Sequence, residues 1–241
     1  MLAKPVFMSY VPAKHPRYSS LELIKLYQET GVNAIEFGFP SANPWLDGPL
    51  IKRFHQLMRS SGIDYRKSFE IFDEIKSSIN IPVFLMTYSD VVRGVGENKF
   101  LLDCKTHGFS GAIVPDMELG RTEGLMSVKF VDVYKDKLQD LKPDYDLFYL
   151  RASQAQTGQK AIIDEDRLKK VVDHLRRSTN SYIISGFGIE TEEDTRKMMS
   201  YGFDGLAIST SILRAVEKTS LDQVREKIRS FSLAMRESYK S

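Results

Sequence analysis

The sequence predicts a single closed (β/α)8 barrel, the TIM-barrel class of α/β fold, running over residues 1–241 as one domain with the helix after the fourth strand reduced. Three observations point there. Short β-branched and aromatic runs alternate with longer amphipathic segments, the rhythm of βα units whose parallel strands are buried on both faces. Eight such runs fit within 241 residues, a length that suits a closed barrel better than an open doubly wound sheet, which is the structural alternative. No linker, low-complexity tract or shift in composition marks a second domain.

The strand runs occupy residues 5–11, 34–40, 82–88, 111–116, 128–134, 146–152, 181–187 and 205–210. Between them, residues 20–31 read as a helix with a serine N-cap at Ser20, apolar i, i+3, i+4 spacing and a glycine stop at Gly31. Residues 50–61, 165–178, 191–201 and 221–239 behave similarly. The stretch from 117 to 127 carries Gly120 and Gly124 and cannot hold a good multi-turn helix, so one barrel helix is expected to be reduced or missing there.

Composition narrows the function. Thirty-four Lys and Arg against 32 Asp and Glu leave a formal charge of +2, which predicts neither the basic face of a nucleic-acid binder nor a polybasic membrane anchor. A single cysteine, Cys104, excludes an internal disulfide framework, and any zinc would need scattered His and carboxylates. Pro5 interrupts the short apolar start, and no later run nears the length of a membrane span, so the expected compartment is the cytoplasm.

In such a barrel the ligand site lies where strands end and βα loops begin. Within residues 34–40, alternation places Ala34, Glu36 and Gly38 on one face and Ile35, Phe37 and Phe39 on the other. The bulky set should face the helix ring, which aims Glu36 into the lumen. Desolvation there raises a carboxyl pKa and suits a group that both donates and accepts a proton near neutrality; a buried structural Glu paired with a Lys, Arg or backbone donor is the other reading. The loop that follows, stiffened by Pro40, Pro44 and Pro49, presents Asp47 as a second carboxylate, or as an Asx-turn or helix cap. Its Trp45 fits a core, stacking or partner role equally.

Small donors cluster at three later strand ends. Gly186-Phe187-Gly188 follows the seventh strand, Ser209-Thr210-Ser211 opens a short helix after the eighth, and Thr157-Gly158 follows the sixth. Unhindered backbone N–H groups and a helix N-terminus suit a phosphate monoester without any lysine. His15, His55, His107 and His174 lie far apart and read as surface residues, so neither a metal cluster nor a histidine triad is expected. Lys129, the only lysine in a strand run, leaves a Schiff-base aldolase as a minor alternative.

Taken together, Ile35-Glu-Phe-Gly-Phe-Pro40, Asn43-Pro44-x-x-Asp47-Gly-Pro, Phe84-Leu-Met-Thr-Tyr88, Val114-Pro-Asp116, Thr157-Gly158, Gly186-Phe-Gly188-Ile and Ser209-Thr-Ser-Ile resemble the tryptophan synthase alpha chain family, in order from about Phe7 to Ala215. The resemblance implies a barrel that cleaves indole-3-glycerol phosphate to indole and glyceraldehyde 3-phosphate, without a cofactor of its own, and hands indole to a PLP-dependent beta chain. It implies Glu36 and Asp47 as catalytic, Tyr149, Thr157, Gly158, Phe187, Gly188, Thr210 and Ser211 around the substrate, and Asn43, Pro44 and Asp116 at the partner interface. The chain departs from the family at Ala42-Asn43, where Ser-Asp is usual, after Asp116, and between Arg151 and Thr157. These departures motivate an alternative, a barrel acting mainly as a binding and activating subunit for the beta chain.

Overall fold

A computed structural model describes residues 1–154 and 162–240. Eight parallel strands form one sheet: β1 (Val6–Pro12), β2 (Ala34–Gly38), β3 (Val83–Met86), β4 (Gly111–Ile113), β5 (Val128–Asp132), β6 (Leu147–Arg151), β7 (Tyr182–Gly186) and β8 (Gly205–Ala207). Their order is β4-β3-β2-β1-β8-β7-β6-β5, so the sheet curls until its two outer strands meet. That seam is joined by one parallel bridge, Gly111 to Met126. Gly111 permits it, because a Cβ there would lie 2.6 Å from the Met126 carbonyl oxygen.

Period-two alternation sorts the side chains as expected. Ile35, Phe37 and Phe39 join the layer between sheet and helices, while Ala34 joins Val6, Met8, Phe84, Leu147, Tyr149 and Ile184 inside the barrel. In the outer layer, Phe37, Phe39, Phe69, Phe72 and Phe109 stack with ring centroids 4.0 to 6.4 Å apart, which locks β2 against its covering helices.

The first helix, α1 (Ser20–Thr30), is capped by Ser19 and not by Ser20, through a reciprocal capping box with Glu22. It is followed by α2 (Pro49–Ser60), α3 (Tyr65–Ile75), α4 (Ser89–Val95), α5 (Glu97–His107), α6 (Glu165–Ser178), α7 (Glu192–Met199), α8 (Thr210–Lys218) and α9 (Leu221–Lys240). Three of these, α3, α4 and α5, are additions to the sequence expectation. The reduced connection after β4 is present, and no helix lies between β4 and β5. A second connection is also thin: only a single 3₁₀ turn, Leu138–Asp140, separates β5 from β6. None of the helices among the described residues is long and apolar enough to cross a membrane.

Candidate active site

The carboxyl ends of the strands surround an open cavity of about 710 Å³, its mouth included, with walls from every strand except β7 and from the loops after β2, β3, β4, β7 and β8. Glu36 reaches it from the middle of β2, flanked on the inward face by the small residues Ala34 and Gly38. It is 5% exposed. The Tyr149 phenol lies beside its carboxyl, Ser209 Oγ lies 3.5 Å from Oε2, and Oε1 has no partner. Burial pushes the Glu36 pKa up to about 7; the Tyr149 hydrogen bond pulls it back, and the negative charge of Asp47 raises it further. Among the described residues no lysine or arginine pairs with this carboxyl.

Asp47, 4% exposed, ends the loop between β2 and α2 and lines the same cavity. It does not cap the helix: the N-cap of α2 is Gly48, with Pro49 in the first turn and no side-chain cap. The carboxylate instead meets neutral polar groups. His55 Nε2 stands 3.3 Å from Oδ2, a long contact that is not aligned as a hydrogen bond. Burial first, and then the Asp47 charge, raises the pKa of the Tyr88 phenol.

The same cavity has a wall of small residues and backbone donors. After β7, Phe187 and Gly188 are both left-handed, at φ 81° and 77°. That conformation is strained for a bulky residue, and strain of this kind clusters at ligand sites. The N-terminus of α8 brings Thr210 and Ser211 to the same wall. Among the described residues no lysine or arginine lines the cavity, and Arg214 on α8 is tied to Glu190 at 2.5 Å. The charge available to an anion there is the helix terminus and its backbone N–H groups.

Of the residues expected at the site, Glu36, Asp47, Tyr149, Phe187, Gly188, Thr210 and Ser211 come together around one cavity. Thr157 and Gly158 lie outside the described residues. Asn43 and Pro44 are on the rim, Asn43 exposed and Pro44 partly buried. Asp116 lies in a neighbouring hollow with Trp45, Met117 and Lys135, where its carboxylate takes the Ser89 N–H at 2.8 Å and the Ser89 hydroxyl at 2.7 Å.

Two expectations need correction. His15 and His55 are buried and not at the surface, because each packs on the aromatic layer beneath the loops, His15 on Phe54 and His55 on Tyr88. Lys129 points away from the lumen, since its neighbours Val128 and Phe130 take the inward face, and it pairs with Glu118. A Schiff-base role for it loses its geometry.

Sequence reasoning missed Tyr10 and Tyr88 as cavity residues, and it placed Ser209 among the small donors without foreseeing its approach to Glu36. Tyr10 pairs in register with Glu36, and its ring crosses the space that a Cβ on Gly38 would need. Its hydroxyl has no partner, and burial, Asp47 and Glu36 together hold its pKa well above the ordinary value. Ser209 accepts the Tyr10 backbone N–H at 3.0 Å, which joins β1 to the loop before α8. Among the described residues no group of three His, Cys, Asp or Glu gathers as a metal site.

The class this defines is a (β/α)8 barrel with two buried acids in one cavity at the carboxyl mouth of its strands, beside a helix N-terminus. Similar architecture recurs among solved structures: a mutant tryptophan synthase alpha-subunit from Pyrococcus furiosus superposes with a TM-score of 0.80 at 22% identity, covering 96% of this chain and 99% of that one. A chain of Mycobacterium tuberculosis tryptophan synthase gives 0.81 at 19% identity, covering 97% and 93%. The family model for the tryptophan synthase alpha chain matches residues 2–240, and this chain belongs to that family. Curated relatives include the alpha chains of Oceanobacillus iheyensis, 28% identical over 94% of this chain and 90% of theirs, and Prochlorococcus marinus, 25% identical over 93% and 88%.

Proposed function

We infer that the chain is a tryptophan synthase alpha subunit, a carbon–carbon lyase that cleaves indole-3-glycerol phosphate to indole and glyceraldehyde 3-phosphate in tryptophan biosynthesis. The observation that carries this reading is a buried carboxyl, raised to about 7, that shares a cavity with a second carboxylate and an anion-receiving helix terminus. Glu36 starts protonated and gives its proton to C3 of the indole ring. The ring becomes a cation, and Asp47 takes up the charge that develops at its N–H. Glu36, now a carboxylate, removes the proton from the hydroxyl on the carbon attached to the ring. That carbon becomes the aldehyde, the carbon–carbon bond breaks, and its electron pair returns to the ring to give neutral indole. Glu36 has its proton back.

Gly188, Phe187, Thr210 and Ser211 would receive the phosphate, with Thr157 and Gly158 as proposed companions, and Tyr149 would set the proton affinity of Glu36. This step needs no cofactor. The pyridoxal chemistry belongs to the beta chain, for which Asn43, Pro44 and Asp116 are the proposed docking residues, in the cytoplasm. The test is an indole assay on indole-3-glycerol phosphate, with and without a beta chain. Glu36→Gln should abolish indole formation in a folded protein, and retained turnover in that variant refutes the mechanism. No indole in either case, with the beta chain's own turnover still raised by this chain, would favour the activating-subunit reading.

A further inference from the structure

We propose that His55 is a positioning residue for Asp47, holding the second carboxylate in its working orientation and tying it to the N-terminus of α4. The inference rests on the lyase reading above for the role of Asp47, and on geometry for the rest.

His55 is 1% exposed and sits in α2 on the same face as Ile51 and Met58. Its Nδ1 accepts the backbone N–H of Ser41 at 2.9 Å. A backbone N–H can only donate, so Nδ1 carries no proton and the ring proton is on Nε2. Nε2 has no other partner and stands 3.3 Å from Asp47 Oδ2, itself buried and without one. The pair is therefore a ring N–H facing a carboxyl oxygen across a long contact, close enough for a small turn of either side chain to align it. As positive charge grows on the indole ring and Asp47 takes it up, His55 keeps the carboxylate from swinging away.

The other side of the ring is anchored as well. Ser41 Oγ donates to Asp90 Oδ1 at 2.7 Å, and the Ala42 N–H donates to Asp90 Oδ2 at 2.8 Å. Asp90 stands in the first turn of α4, next to Ser89, which Asp116 grips from the loop after β4. Asp116, Ser89, Asp90, Ser41, His55 and Asp47 thus form a continuous run from the hollow at the rim to the second acid.

The two ring nitrogens allow a test that separates positioning from plain structural support. Asn places its amide oxygen where Nδ1 is, keeping the Ser41 anchor and losing the donor to Asp47. Gln places its amide nitrogen where Nε2 is, keeping the donor and losing the anchor. Steady-state indole formation and thermal midpoints are measured for wild type, His55→Asn and His55→Gln. We expect kcat to fall roughly tenfold to a hundredfold in His55→Asn, the worth of a hydrogen bond to a charged group, with little change in thermal midpoint. His55→Gln should recover most of kcat despite a lower midpoint. If Asn is the more active variant, or kcat follows the midpoint in both, His55 is structural and the proposal is overturned. A wild-type chain with no turnover, alone or with a beta chain, would instead refute the lyase reading, and this proposal with it.

Discussion

Replacing Glu36 with Gln should make the protein more stable as it makes it inactive, and by an amount that depends on pH. In the folded chain the Glu36 pKa is raised from 4.5 to about 7, chiefly by burial. The folded state therefore keeps a proton that the unfolded chain gives up. The stability linked to this proton is fully present below pH 4.5 and is lost as pH rises through 7. Gln has no proton to lose, so the difference between variant and wild type measures that loss directly. Each pH unit crossed between the unfolded and folded pKa values is worth about 1.36 kcal/mol. The variant should therefore gain roughly 1.4 kcal/mol at pH 5.5 relative to pH 4, and roughly 3 kcal/mol at pH 8. Urea unfolding of both proteins at pH 4, 5.5 and 8 checks this, with midpoints compared at equal slope. Glu36→Gln keeps an acceptor for the Tyr149 hydroxyl, so the comparison is not clouded by a newly orphaned phenol. A stability difference flat across this range would show that Glu36 is not desolvated in the folded state, and would remove the proton carrier from the mechanism.

Other outcomes follow from the same site. Because ring protonation needs the acid form of Glu36, kcat/KM for indole formation should fall above pH about 7; a profile flat to about pH 9 contradicts the assignment. Tyr149→Phe removes the hydrogen bond that lowers the Glu36 pKa, so the falling limb should move to higher pH. A move to lower pH would mean that the phenol acts otherwise. Gly205→Ala forces a Cβ into the Val6 backbone of the paired strand, which cannot swing aside, and should cost about 3 kcal/mol or more in chemical denaturation. Phe72→Ala, in the ring stack beneath β2, should cost about 3 to 5 kcal/mol and leave the cavity chemistry in place.

The barrel is legible in the sequence because its strands are buried on both faces, and the alternation in β2 is clean enough to aim Glu36 inward. Two of the helices beyond that expectation carry weak signals. The seven residues of α4 include Gly94 and lack a side-chain cap, and α5 is set off from it only by Gly96 at φ 87°. By contrast α3 is readable, with Asp64 capping Lys67 and Ser68, Phe69, Phe72 and Ile75 on one face. Tyr10 is hidden for a physical reason: β1 is buried along its whole length, so a tyrosine there looks like any core aromatic. His55 could be found, since its spacing from Ile51 and Met58 puts it on the buried stripe of α2, where an imidazole demands partners. Asp-Gly-Pro suits both a cap and an acid at Asp47, and only the fold shows that Gly48 takes the cap.

The single bridge between Gly111 and Met126 makes the barrel two half-shells hinged along β1 and β8, with a free lip on each side. Amide protons along that lip should exchange with deuterium sooner than those of β1, β2, β6 and β7, which have neighbours on both flanks. A protease cut in the turn before Met126 would nick the chain where the two halves are least stitched together, and the nicked pieces should stay zipped by the strands on the far side.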